Sequence, residues 1–145
     1  MVTETELREK VSRLETLNQQ IETFEEQMGY IENLIEEHQD AKKTIQKYSE
    51  EEEGSEMLVP IGASTHIYCR VGDTDKVLIG LGADTSAKKN FDEAEEIIQR
   101  RTDDFKETKE AIEDKLNEME EDAQKLQMEV QKEYQEFQTQ QTQQG

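Results

Sequence analysis

Residues 57–89 read MLVPIGASTHIYCRVGDTDKVLIGLGADTSAKK, and their period decides the fold. Met57-Leu58-Val59-Pro60 makes a short strand whose proline marks an edge or an end. His66, Tyr68 and Arg70 then alternate with Ile67, Cys69 and Val71. A Gly72-Asp73-Thr74-Asp75 turn follows, after which Val77, Ile79 and Leu81 alternate with Leu78 and Gly80. This alternation about a turn reads as a β-hairpin. Gly82-Ala83-Asp84 marks another turn, and Thr85 to Lys88 a last short strand. The expectation is four short strands arranged as two hairpins. Such a segment has little helix to cover it and leaves sheet edges open, and open edges pair with other chains. It carries 4 basic and 3 acidic residues, so no strong charge keeps copies apart. It is therefore expected to be an assembly surface, carried by Leu58, Val59, Ile67, Cys69, Val71, Val77, Ile79 and Leu81.

On either side the period changes from two to that of a helix. Upstream, Leu7, Leu14, Ile21, Met28 and Ile35 interleave with Leu17, Phe24, Ile31 and Ile45 in alternating steps of three and four. This is a heptad seam, broken at Lys10, His38 and Lys42. Between seam positions stand mostly Glu, Gln and Lys, good helix formers. Lys42, Lys43 and Lys47 complement the dipole at the helix end. Downstream, Asn90 is a good N-cap, and Glu93 is placed to reach back to it. The seam there runs Ile98, Phe105, Ile112, Met119 and Leu126, interleaved with Leu116, Ala123, Val130 and Phe137. Its breaks are Thr102, Lys109 and Glu133. The single proline, Pro60, lies outside both arms.

Charged helices of roughly 40 residues are not stable through propensity alone, so each seam needs a facing partner. The nearest is the other arm, which gives an antiparallel coiled coil with both termini at one end. The expected class is mainly α with a small β part, in one domain over 1–145. Its parts are a helix at 1–49, hairpins at 57–89, a helix at 90–137 and a tail at 138–145. The tail, Gln-Thr-Gln-Gln-Thr-Gln-Gln-Gly, lacks apolar residues and is expected to be disordered. Near the termini, Leu7, Val11, Val130, Tyr134 and Phe137 have few partners, and Val11 and Tyr134 stand beside the seam. They are read as a partly exposed apolar groove or, equally, as an ordinary seam end.

Composition bounds the function. Charged residues (37%) exceed hydrophobic ones (32%), which favours narrow helical seams over a large compact core. The net charge of −19 argues against nucleic acid and against an anionic membrane surface. That charge sits in the flanks: net −10 over 1–56, net −10 over 90–145 and +1 between. One cysteine, Cys69, permits no intrachain disulfide and suits a reducing compartment. No signal-like start and no apolar run of spanning length are present, so a cytoplasmic location is expected.

Catalytic patterns fail. Gly80-Leu81-Gly82 after a strand lacks the third glycine of a dinucleotide turn, since Thr85 stands there, and no helix start follows directly. His66, Cys69 and His38 fall short of a four-ligand zinc set. The carboxylates lie on solvated helix faces, and no nucleophile has a credible base. No enzyme activity, metal or cofactor is expected.

The middle carries a resemblance. Leu58-Val59-Pro60-Ile61-Gly62, Asp75-Lys76-Val77-Leu78-Ile79-Gly80-Leu81-Gly82-Ala83 and Lys88-Lys89-Asn90-Phe91-Asp92-Glu93-Ala94 are similar to the archaeal α-type prefoldin pattern. That pattern is a V-P-[LI]-G turn, a D-x-V strand ending in glycine and a K-[KD]-x-x-E-A helix start. The order helix, two hairpins, helix also resembles that family. The resemblance implies a hexamer of two α-type and four β-type subunits, with the hairpins joined in a double β-barrel and coiled-coil arms around a cavity. It further implies that unfolded proteins are held without ATP at the arm tips and passed to a group II chaperonin. By position, Leu7, Val11, Val130, Tyr134 and Phe137 would be the client-binding residues. Two other readings stay open: a prefoldin-like chain that assembles alone into filaments, and a coiled-coil adaptor whose hairpins dock one fixed partner.

Overall fold

The computed structural model describes residues 2–144. The order of elements is α1 (Glu4–Ser49), β1 (Glu56–Gly62), β2 (Thr65–Arg70), β3 (Lys76–Gly82), β4 (Thr85–Asn90) and α2 (Phe91–Gln144). These elements divide between two compact units, residues 33–106 and residues 2–32 with 107–144.

In the unit formed by 33–106, the end of α1 packs antiparallel on the start of α2. Lys42 Nζ donates to Gln99 Oε1 at 2.8 Å, and Gln46 Nε2 reaches Glu95 at 3.4 Å. Numbers falling on one helix as they rise on the other define the direction. Asn90 ends β4 and caps α2 at once: Glu93 N–H donates to Asn90 Oδ1, and Asn90 Nδ2 donates to Glu93 Oε1, both at 2.8 Å. This differs from a standard capping box, where the glutamate accepts from the cap's backbone N–H. The core here holds Ile35, Val71, Ile79, Phe91, Ala94 and Ile98.

The strands form two separate two-stranded sheets, β1–β2 and β3–β4, both antiparallel. This corrects the expected turn. Residues 72–75 link the sheets and do not close a hairpin; the hairpins close at Ala63-Ser64 and at Ala83-Asp84. All four of those residues have positive φ, 49–58°. Positive φ at both central positions is the two-residue turn whose twist matches paired strands. Before each turn a glycine, Gly62 or Gly82, sits at φ near +100°, where side chains are strained. The register shifts between Pro60 and Gly62, and again between Gly80 and Gly82. The turn chemistry is thus carried by Gly-Ala-polar-Thr at 62–65 and 82–85, a stronger signal than the acidic 72–75 segment.

In the other unit, α1 starts with a capping box. Glu6 N–H donates to Thr3 Oγ1 at 3.2 Å, and Thr3 N–H donates to Glu6 Oε2 at 3.1 Å. The helices again run antiparallel, with Lys10 meeting Glu129 and Glu133, and Lys109 meeting Glu32. Leu7, Leu116, Met119 and Ala123 are buried between them. The expected tail at 138–145 is corrected as well: α2 continues to Gln144. No proline or glycine stands between 138 and 144 to end it, and Thr139 and Thr142 hydroxyls bond back to the Gln135 and Gln138 carbonyls at 2.9 Å. Gly145 lies outside the described residues.

Candidate functional site

Two regions hold the candidate residues. The first is the part of the helix pair that carries both chain ends. Every seam position of α1 and α2 named from the heptads is buried or half-buried. The seam breaks are also matched, each in its own way. Lys10 Nζ bonds Glu133 Oε1, so two breaks from opposite helices meet, and Glu129 Oε2 lies 3.6 Å from the same ammonium. The hydrogen bond that Lys10 donates to Glu133 does most to raise the ammonium's pKa above its ordinary value; burial opposes it, and the charges of Glu133 and Glu129 add to the rise. His38 stands edge-on to Phe105, ring centres 5.2 Å apart, with Nδ1 2.7 Å from the Leu34 carbonyl. Thr102, buried, returns its hydroxyl to the Ile98 carbonyl at 2.8 Å. Lys109 lies 3.6 Å from Glu32 and 3.8 Å from Glu113.

The five expected end residues fall into three states. Leu7 is 8% exposed, so it belongs to the core and offers little surface. Val130 and Phe137 are half-buried. Val11 and Tyr134 are 38% and 52% exposed. In the antiparallel seam both follow a charged seam position by one residue, Lys10 and Glu133, and so flank the same side of the pair. An apolar strip therefore exists there, built from Val11 and Tyr134 and bordered by Val130. The exposed Met128 and Tyr30 lie away from the seam.

The second region is the pair of hairpins. In β1–β2, Leu58 pairs with Tyr68, which puts both on one face, and Met57 and Val59 pair with Cys69 and Ile67 on the other. Tyr68 is 75% exposed, and Leu58, Ile61 and Ile67 are exposed too. Val59 and Cys69 are half-buried, while Val71 is covered by its own chain. In β3–β4, Ile79 is buried and Val77 half-buried against the helices, whereas Leu78 and Leu81 are exposed. Val71 and Ile79 are thus spent inside this chain, an outcome the alternation could not show. Tyr68, Leu78 and Ile61 are the exposed apolar side chains that alternation passed over. Their signal was present: strands that are apolar on both faces are buried on both.

Three further bonds fix the hairpins. Arg101 Nη2 donates to the Gly80 carbonyl at 2.6 Å, Tyr48 Oη accepts from Gly72 N–H at 3.3 Å, and Val71 N–H donates to the Ser55 carbonyl at 2.8 Å. Among the described residues no cluster of three His, Cys, Asp or Glu is placed to hold a metal. No helix of the described residues is long and apolar enough to cross a membrane.

The comparisons agree with this arrangement. The family model described as "Prefoldin subunit" matches residues 17–136. A curated relative, prefoldin subunit alpha of Methanosarcina barkeri, is 29% identical over 90% of this chain and 93% of its own length. The alpha subunit of Methanosarcina acetivorans is 31% identical over 66% of this chain and 70% of its own length. The solved filamentous prefoldin from Methanocaldococcus jannaschii covers 84% of this chain and 98% of its own, with a TM-score of 0.67 at 22% identity, a likeness of fold. With the family model spanning both helices and both hairpins, and archaeal alpha subunits aligned along most of its length, the chain belongs to the prefoldin family, in its archaeal alpha class.

Proposed function

We propose that the chain is a subunit of an ATP-independent chaperone that holds unfolded proteins at the ends of its helix pair. The observation that carries the reading is the family match over 17–136, which includes all four strands and most of both helices. The hairpins would join those of β-type prefoldin subunits, two α-type with four β-type, in a β-barrel body. Support comes from β1–β2, a two-stranded sheet with apolar side chains on both faces. Such a sheet is marginal alone and needs cover. Clients would contact Val11, Tyr134 and Val130, with Leu7 and Phe137 beneath, and a group II chaperonin would receive them.

The physics suits that role. An unfolded chain offers apolar segments without fixed shape, and several weak contacts from several subunits hold it by avidity. Weak contacts release it without a nucleotide. The net charge of −19 keeps apolar-ended helices from associating with each other.

The end assignment is tested with Val130→Ser plus Phe137→Ser in the assembled complex. Suppression of aggregation of chemically unfolded citrate synthase should fall several-fold while native mass spectrometry shows assembly intact. Unchanged suppression would falsify the assignment. The same mass measurement on the unmodified chain from its own cells separates two α-type with four β-type subunits from a homo-oligomeric filament, and both from an adaptor with one fixed partner.

A further inference from the structure

One glycine stands where the helix does not need it. Gly29 lies in the middle of α1, in ordinary helical backbone, and no heavy atom of the described residues lies within 4 Å of a Cβ built there. A glycine inside a helix destabilises it relative to alanine, and none of this chain's own contacts explains that loss. The remaining use of a bare backbone position is close approach from outside. Gly29 comes four residues after Glu25 and three before Glu32, so it shares their face of α1.

That face belongs to the edge of the helix pair that carries Val11 and Tyr134. Glu25 and Glu120 occupy the same seam-flanking positions two heptads inward, and Glu32 and Glu113 three heptads inward. The inner pair converges on one cation: Lys109 Nζ lies 3.6 Å from Glu32 Oε1 and 3.8 Å from Glu113 Oε1. The molecule thus seats an ammonium between carboxylates from its two helices. Glu25 and Glu120 have the same spacing and no such cation. Both are exposed, and residues 18–32 contain no lysine or arginine. Among the described residues neither carboxylate joins an ion pair.

A chain lying along this edge meets an apolar contact first and paired carboxylates next. From Val11 to Glu25 is 14 residues of helix, about 21 Å at the helical rise. An extended chain covers that distance in about six residues. We propose that this edge is a track for unfolded segments that carry lysine or arginine about six residues from an apolar side chain. The apolar side chain rests on Val11 and Tyr134. The cation sits between Glu25 and Glu120 as Lys109 sits between Glu32 and Glu113, and the segment's backbone passes over Gly29. Exposed ion pairs are individually weak, so the acid pair selects among segments held by the apolar contact and does not hold them alone. The track rests on the client-binding reading of the helix-pair end.

The test uses the full chain in its assembled complex and two unstructured, dye-labelled peptides, with binding read by fluorescence anisotropy at low salt. Both peptides carry the same apolar cluster; about six residues on, one has lysines and the other glutamates. The lysine peptide should bind several-fold tighter. Glu25→Gln with Glu120→Gln should remove most of that preference. Glu26→Gln with Glu121→Gln makes the same charge change on exposed positions away from the seam and should keep it. Gly29→Ala should raise the melting temperature of the helices and yet weaken the lysine peptide several-fold. Equal affinity for the two peptides overturns the track. So does a preference that survives Glu25→Gln with Glu120→Gln, or that falls equally in the outer pair. Gly29→Ala with unchanged affinity, or with a lower melting temperature, overturns the passage over Gly29 and the track with it. Val130→Ser plus Phe137→Ser separates the two readings. If it weakens both peptides while the charge variants do nothing, only the track fails. If both peptides bind as before, the end is not the client site, and the track falls together with that reading.

Discussion

The two hairpins are built on one plan and used differently. Leu58-Val59-Pro60-Ile61-Gly62-Ala63-Ser64-Thr65 and Leu78-Ile79-Gly80-Leu81-Gly82-Ala83-Asp84-Thr85 align at an offset of 20 residues, identical at Leu58/Leu78, Gly62/Gly82, Ala63/Ala83 and Thr65/Thr85 and unlike at Pro60/Gly80. Their turns have the same positive-φ residues and the same register shift. Each is followed by a buried apolar residue, Val71 after β2 and Phe91 after β4. The difference lies in what the strands face. Ile79 of β3 is buried against its own helices, and Arg101 ties Gly80 to α2. The equivalent Val59 is only half-buried, and the return strand β2 adds Ile67, Tyr68 and Cys69 where β4 has Ala87, Lys88 and Lys89. One hairpin is anchored by its own chain. The other is apolar on both faces, with Met57, Val59 and Cys69 half-buried and Leu58, Ile67 and Tyr68 exposed. A repeated turn motif therefore shapes the hairpins, while the side chains between the turns decide which one docks inward and which one keeps apolar side chains exposed.

The largest effect should come from the unanchored hairpin. Leu58→Asp with Tyr68→Asp places two like charges opposite each other on its open face. Native mass spectrometry should then show loss of the oligomer, with helical circular dichroism retained. Leu78→Asp on the other hairpin should weaken assembly less, because Lys76 and Lys88 flank it on the same face. Equal losses would erase the distinction between the hairpins.

A smaller effect is expected inside the chain. Ile79→Ala removes a buried side chain and should cost about 2–5 kcal/mol in urea unfolding at fixed protein concentration. Val59→Ala, at the equivalent half-buried position, should cost clearly less. The reverse order would mean that the first hairpin, and not the second, is the anchored one.

The smallest effect sharpens what the hairpins share. Gly62→Ala and Gly82→Ala have open space for a Cβ, so only backbone strain at φ near +100° opposes them. Each should cost about 1–2 kcal/mol, and the two values should agree. A large gap between them would show that one turn is strained by its surroundings.

Much of this was legible in the chain alone. Heptad spacing identified the covered face of both helices, including the breaks at Lys10, His38, Thr102 and Glu133, because a 3.6-residue period leaves only one stripe to bury. Asn90 and Glu93 marked the start of α2, since capping depends on residues three apart. The four strands followed from the change to a period of two. Their pairing was also written locally, in the repeated glycine-ended turns, although the acidic 72–75 segment has the more turn-like composition.

Tertiary structure decided what local pattern has no means to encode. A heptad states which face is buried but not which residue on one helix meets which on the other. The meeting of Lys10 with Glu133, the covering of Leu7 and the edge contact of His38 with Phe105 follow from that register. Likewise, alternation separates the two faces of a strand without saying which face turns toward the helices. Val71 and Ile79 went inward and Tyr68 and Leu78 outward because the helix pair offered room to one side of each sheet. Periodicity is a property of neighbours along the chain, whereas register and facing belong to segments brought together from far apart.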